Sequence, residues 1–347
     1  MKAITFEGIR NLKYGSVPDP IIPDQKDAIV KVEYTAVCGS DLHVYHGRET
    51  GLDIGTIMGH EFTGYVVEKG AEVKKFRKGD HVVSPFTTNC GLCDFCKIGL
   101  TARCLHGQLF GWMQQGKGLH GAQAEYIRVP FADTTLMTIP ESISSKNALM
   151  AGDILSTGYY CAEMAEIQPG KTYVVLGCGP VGLCAILSAF ELGADKIYAI
   201  DPVDYRLEVA KDIGASDIPL NNDTVDKLLA TTRGIGAEAV MEVVGNPEAQ
   251  RLAYDIVRPG GIISTVGVHT SGTFSFTPVD AYNKNISFKI GRSSARHYMN
   301  VILPKLEQGR LNPEMIITHI MELASGPKAY DTFDKKEDRV IKILLKP

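Results

Sequence analysis

The chain has 347 residues, 44% of them apolar and 22% charged, with 36 Lys and Arg against 40 Asp and Glu for a formal net charge of -4. That length allows two domains, each with its own core, and the composition is that of a soluble globular protein. The slight acidic balance offers no basic field for nucleic acid and no apolar run approaches a bilayer span, so the expected partner is a small molecule and neither nucleic acid nor membrane.

Met1-Lys2-Ala3-Ile4-Thr5 runs into charged Glu7 and Arg10 without an apolar leader, so the eight cysteines read as metal ligands or reduced core residues of a cytoplasmic protein. Val30, Val32, Tyr34 and Ala36 then alternate with Lys31, Glu33 and Thr35 at the period of a half-buried strand. Residues 62–67, 81–86 and 124–129 read as further strands between Gly, Pro and charged turns. From Gly158 the texture changes. Strand-like residues 173–176, 196–200, 239–244 and 262–266 alternate with helical stretches such as 181–192 and 205–213, which predicts a parallel sheet flanked by helices. After about Ser293 the pattern is mixed, and it ends in β-like residues 339–345 that could rejoin the first domain. The expected division is therefore 1–153 with 294–347 for the strand-rich domain and 154–293 for an inserted α/β domain, without internal repeats.

Cys90, Cys93, Cys96 and Cys104 are spaced C-x2-C-x2-C-x7-C. Four thiolates on so short a loop can converge on one tetrahedral ion, Zn²⁺ first, and a closed site of this kind contributes folding energy. A pair of disulfides is the alternative, disfavoured by the absence of a secretory signal.

Tyr173-Val174-Val175-Leu176 leads directly into Gly177-Cys178-Gly179-Pro180-Val181-Gly182, a G-x-G-x-x-G at a strand-to-helix turn. The first glycine permits the turn, the second lets backbone approach a pyrophosphate, and the third lets helix and strand pack closely. Asp201, about 20 residues on, ends the next strand where a carboxylate can accept both adenosine ribose hydroxyls. Its charge would repel a 2′-phosphate, so NAD is expected over NADP. Arg206 reads either as a phosphate partner, as an adenosine contact or as a solvated helix residue.

Cys38-Gly39-Ser40-Asp41-Leu42-His43 and Gly59-His60-Glu61 add a thiolate, an imidazole and a carboxylate. Together with the four-cysteine loop and the downstream nucleotide fold, they closely resemble the zinc-dependent medium-chain alcohol dehydrogenase family, over nearly the whole chain. The resemblance implies an α/β protein: a GroES-like, mostly β catalytic domain carrying two zinc sites, with an inserted Rossmann domain. It implies Cys38 and His60 as ligands of catalytic zinc, and Asp153, in Gly152-Asp153-Ile154-Leu155-Ser156-Thr157-Gly158, as the third where a second cysteine is common. An aspartate there resembles a subgroup acting on secondary alcohols, and formaldehyde dehydrogenases resemble this segment too. Glu61 is either a fourth ligand that exchanges with water or a salt-bridged carboxylate behind the site.

The same resemblance implies that Ser40 takes the substrate's proton and passes it, through the nicotinamide ribose, to His43; local turn bonding and a cofactor contact are their plainer roles. Phe86 falls where the family has an aromatic pocket wall, and Trp112 is a second wall or, equally, a core or interface residue. Thr157 and Val181 would lie behind the nicotinamide, Val266-Gly267-Val268 at its carboxamide, and Arg339 at the pyrophosphate, unless it is a surface arginine. The implied activity is reversible hydride transfer between a small primary or secondary alcohol and NAD, giving an aldehyde or ketone. A polyol, a threonine-like amino alcohol or formaldehyde is the alternative substrate, and a non-catalytic, zinc-stabilised NAD-binding protein a distant one. Family members associate through the edge strand of the nucleotide domain, here residues 286–290, so a homotetramer or dimer is expected.

Overall fold

A computed structural model describes residues 1–347, which divide into two compact units, Met1–Ser156 with Ser294–Pro347, and Thr157–Ser293. In the first unit a seven-stranded sheet runs in the order Ile317–Glu322, Lys342–Lys346, Ala28–Val37, Phe62–Lys69, His81–Ser84 and Met137–Thr138, with Tyr126–Val129 also paired to Ala28–Val37. The strand Lys342–Lys346 is thus hydrogen-bonded beside the strand that leads into Cys38, with Ile343 opposite Val37. One core gathers Val30, Val32, Phe62, Val66 and Phe110; another gathers Ile4, Phe6, Met58, Tyr330 and Ile343.

The alternation expected along Ala28–Val37 holds only to Val32. A register shift between Val32 and Tyr34 turns the chain, and Thr35, Ala36 and Val37 are all buried. The strand expected at 81–86 stops at Ser84, because Pro85 has no N–H to continue a ladder. Phe86 is released from the sheet, and its N–H donates to Gly152 O at 3.2 Å.

The second unit holds a six-stranded sheet, every neighbouring pair parallel, in the order Ser216–Pro219, Lys196–Asp201, Thr172–Leu176, Ala237–Glu242, Val257–Thr265 and Ser287–Ile290. Numbered along the unit this is 3-2-1-4-5-6, the doubly wound order, and its direction reverses between Thr172–Leu176 and Ala237–Glu242. Helix Pro180–Glu191 starts with proline at its first position, where no N–H is needed, and helix Asp204–Ile213 stops at Gly214, φ 118. The strand expected at 239–244 is Ala237–Glu242, so Val243 and Val244 belong to the following turn. Buried Val174, Ile200, Val240 and Ile263 supply the core on which the helices pack. No helix is long and apolar enough to cross a membrane.

Candidate metal centre and nucleotide site

Three segments of the first unit deliver Cys38, His60 with Glu61, and Asp153 to one place. Cys38 follows the strand Ala28–Val37, Gly59 places His60 through a φ of +86, Glu61 directly precedes Phe62–Lys69, and Asp153 sits between helices Ser145–Ala151 and Ile154–Met164. All four are buried, and one donor atom from each lies within 4.8 Å of every other. Cys38 Sγ is 3.4 Å and His60 Nε2 is 3.2 Å from Asp153 Oδ2. An ion bound tetrahedrally at 2.0–2.3 Å separates its ligands by about 3.3–3.8 Å, so the Asp153 oxygen already stands from the sulfur and from the nitrogen at about the spacing zinc requires.

Asp41, a member of the Cys38 motif to which sequence reasoning attached no role, orders this cluster. One of its oxygens accepts the Cys38 N–H at 3.0 Å and the other lies 3.3 Å from His60 Nδ1. A ring that donates through Nδ1 turns the Nε2 lone pair toward the other ligands. Burial works against a charged imidazole, but the carboxylates of Asp41 and Asp153 outweigh it and hold His60 well above its ordinary value. Burial also pushes the Cys38 thiol up, with Asp153 adding to it. Ser40 Oγ is 3.4 Å from His60 Nε2, at the rim of the cluster. His43, on helix Asp41–Tyr45, is held below its ordinary value by burial, and its Nδ1 is enclosed without a partner.

Glu61 takes the salt-bridged role expected of it and keeps one carboxylate oxygen unpaired. Its Oε1 pairs with Lys342 Nζ at 2.5 Å, while its Oε2 is buried without a partner. Lys342 is fully buried, donates also to Val37 O at 3.1 Å, and keeps its ammonium above the ordinary value; burial opposes this and the Glu61 carboxylate overcomes it. Sequence reasoning singled out Arg339 as the late basic residue. The structure corrects the reading of 339–345 as one strand: Arg339 ends an exposed turn with a φ of 54, and the strand starts at Lys342. A lysine at the head of the apolar run Ile343-Leu344-Leu345 was the available signal.

Phe86 presents its ring edge-on to His60, centroids 6.4 Å apart. Trp112 lies in a short hairpin and packs, partly buried, against the core that contains Ile4, Phe6 and Met58, in agreement with the core reading of this residue.

The Cys90, Cys93, Cys96 and Cys104 sulfurs also lie within 4.8 Å of one another, and every cysteine of the chain is free, so the disulfide alternative is not what the structure contains. Cys93 Sγ and Cys104 Sγ are 3.9 Å apart, against about 3.8 Å for two sulfurs of a zinc tetrahedron with 2.3 Å bonds. Backbone N–H groups aim at the sulfurs, Cys90 N at Cys104 Sγ and Cys93 N at Cys90 Sγ, and hydrogen bonding of this kind lowers the Cys93 thiol to about 6. Burial pushes the Cys96 and Cys104 thiols up, so it is at Cys93 that the loop favours thiolate, the ligand form.

In the second unit the glycine motif has the geometry its spacing predicts. Gly177 takes a φ of +93; a Cβ on Gly182 would stand 1.8 Å from Gly177 O; Gly179 faces open space except for Arg206 Nη1 at 3.7 Å. Asp201 is buried and accepts N–H bonds from Cys178 at 2.7 Å and Val203 at 2.8 Å, which leaves each oxygen a second lone pair. Arg206 Nε is enclosed without a partner. Val181 is the second residue of helix Pro180–Glu191, and Thr157 lies in helix Ile154–Met164. Val266 N and Gly267 N both donate to Glu242 O, and Val268 is exposed. Sequence reasoning missed Glu242, which is fully buried: its Oε1 accepts from Val244 N and Gly245 N, each at 2.7 Å, and its Oε2 is 2.8 Å from His269 Nε2. It ties the ends of two strands together at the switch point of the sheet.

The sequence matches the family model of the alcohol dehydrogenase GroES-like domain over residues 24–141 and that of the zinc-binding dehydrogenase domain over residues 180–306. It is 41% identical to zinc-type alcohol dehydrogenase B of Aspergillus flavus, over 100% of this chain and 81% of that protein. With the zinc-type alcohol dehydrogenase-like protein AdhB of Bacillus subtilis it shares 36% identity over 100% of both chains. Among solved structures, alcohol dehydrogenase TADH from Thermus sp. ATN1 superposes with a TM-score of 0.93 at 38% identity, covering 100% of this chain and 99% of that one.

Proposed function

This chain belongs to the zinc-dependent medium-chain alcohol dehydrogenases, and from that premise we propose that it transfers hydride reversibly between a small primary or secondary alcohol and NAD. The observation that carries the proposal is the convergence of Cys38, His60, Asp153 and Glu61, a mixed sulfur, nitrogen and oxygen set with an unsatisfied buried carboxylate oxygen. Cys38, His60 and Asp153 would hold a catalytic zinc and leave a coordination position for substrate, with Glu61 as an exchangeable fourth ligand. Cys90, Cys93, Cys96 and Cys104 would hold a second, structural zinc. When bound, zinc supplies Lewis-acid polarisation of the alcohol and the dinucleotide supplies the hydride acceptor.

The chain's own residues supply orientation and proton handling. Asp41 keeps His60 in the tautomer that offers Nε2, and Ser40 Oγ at the rim of the cluster is the first acceptor for a proton leaving substrate. His43 receives it onward: its ring, kept neutral by burial, has an unpartnered Nδ1 free to accept. Phe86 walls the substrate side. In the second unit Gly177, Gly179 and Gly182 with the N–H groups opening at Pro180 and Val181 would cradle the pyrophosphate, and Asp201 would accept the ribose hydroxyls. Thr157 and Val181, with the Val266 and Val268 backbone, would seat the nicotinamide. The unpartnered Arg206 Nε above Gly179 is the specific observation that favours NADP instead. Exposed Ile290 on the edge strand Ser287–Ile290, with exposed Val279 and Tyr282 on the helix Pro278–Lys284 that precedes it, supports association into a homo-oligomer.

The test is metal analysis with initial rates on primary, secondary, polyol and amino alcohols, with NAD and then NADP. The parent should hold two zinc ions per chain and turn over a small alcohol faster with NAD. His60→Ala and Asp153→Ala should each lose one ion and at least about a thousandfold in kcat, roughly 4 kcal/mol of barrier, while keeping the cysteine-loop ion. Full activity in both variants refutes the ligand assignment.

A further inference from the structure

Gln123 belongs to none of the motifs that mark the site, yet its side chain is fully buried and bound at both ends. Its Nε2 donates to Ala36 O at 3.0 Å, on the strand that delivers Cys38. Its Oε1 accepts from the Tyr330 hydroxyl at 3.1 Å. Between these bonds its methylene lies flat on Gly59, where an added Cβ would stand 2.5 Å from Cγ and 2.9 Å from Cδ. Its backbone is tied to the same loop, Gln123 N donating to Met58 O at 2.8 Å and Ala122 N to Gly59 O at 2.9 Å. One side chain therefore spans the segment that presents the thiolate and the segment that presents the imidazole. Tyr330, on helix Gly326–Lys335 and equally buried, sets the amide's orientation, and its hydroxyl faces Asp41, the carboxylate that takes the Cys38 N–H and His60 Nδ1.

We infer that Gln123 and Tyr330 are positioning residues that set the separation of Cys38 from His60, and with it the fit of the catalytic metal; this rests on the reading of that cluster as a metal centre. Neither residue touches a donor atom. A primary amide suits the role, since it offers one donor to the Cys38 strand and one acceptor to the phenol without adding charge beside Asp41 and Glu61. The phenol fixes which end of the amide points where, so removing its O–H leaves the amide free to turn. Groups behind metal ligands typically change metal affinity by about 10–100-fold when they are removed.

The experiment uses zinc-loaded protein and a chromophoric chelator that reports the release of each ion, with the cysteine-loop ion as an internal gauge of folding in the same unit. Tyr330→Phe and Gln123→Leu should each speed the release of one ion about tenfold and leave the other unchanged. In cobalt-substituted protein the visible band of the faster site should shift, and kcat should fall more than KM changes. Parent-like release and spectra in both variants overturn the inference, as does equal acceleration of both ions, which would make the pair a general support of the unit. If Gln123→Leu sheds both ions at once, Tyr330→Phe decides alone. His60→Ala separates the two levels: if it keeps both ions the metal-centre reading itself fails, whereas if it loses one and Tyr330→Phe releases both at the parent's rates, only the positioning role fails.

Discussion

Lys342 and Glu61 show how much of this site lies in single side chains that no motif contains. Both are fully buried, and the ammonium has no other charged partner within the ion-pair distance seen for Glu61. Breaking a buried pair from one side leaves the other charge in a medium that solvates it poorly, which costs about 3–5 kcal/mol. Lys342→Met should therefore lower the unfolding free energy by about that amount in a urea titration. Adding Glu61→Gln should restore most of the loss, since it removes the stranded charge; no recovery in the double variant would show that the pair does not act as a unit. Cys38, His60 and the four cysteines were legible because their residue types are rare and their spacing is short. Lys342 was not, because one charge in an apolar strand reads the same whether it points to solvent or inward.

At the scale of elements, short-range backbone rules carried most of the reading. The turn at Gly177 and the helix at Pro180 appear where the G-x-G-x-x-G pattern puts them, because both depend on neighbours in sequence. Gly182 is the tightest contact of that turn. A Cβ there would stand 1.8 Å from Gly177 O, so Gly182→Ala must push the helix Pro180–Glu191 off the strand Thr172–Leu176. It should cost about 1–3 kcal/mol of stability and weaken dinucleotide binding, read by calorimetric titration with NADH. Unchanged binding would mean that this helix end does not carry the pyrophosphate. Element boundaries were less legible. The strand expected to start at Arg339 starts at Lys342, and the alternation from Val30 fails after Val32, where the register against the strand Phe62–Lys69 shifts and interrupts the local period.

For the whole molecule, the parallel sheet of the second unit ends in the strand Ser287–Ile290, one edge of which has no partner in this chain. Unpaired edges with apolar neighbours invite pairing with a second copy. The parent should therefore run as a dimer or tetramer in native mass spectrometry, and Ile290→Lys with Tyr282→Lys should shift it to smaller species; an unshifted assembly would place the contact elsewhere. Taken alone, the sequence determined the chemical inventory: a four-cysteine loop, a glycine-rich strand-to-helix turn with an acidic residue downstream, and two short motifs rich in side chains able to ligate a metal. Each of these depends on residues close together in the chain, where covalent connection already fixes the distance. Only the tertiary structure decided which side chains from distant segments close around those motifs, Lys342 against Glu61, Tyr330 and Gln123 behind Cys38 and His60, and Glu242 with His269 at the switch point. Those contacts arise when sheet pairing and core burial fold remote strands and helices together, and their energy comes from burial and hydrogen bonding across the fold, which spacing in the sequence does not encode.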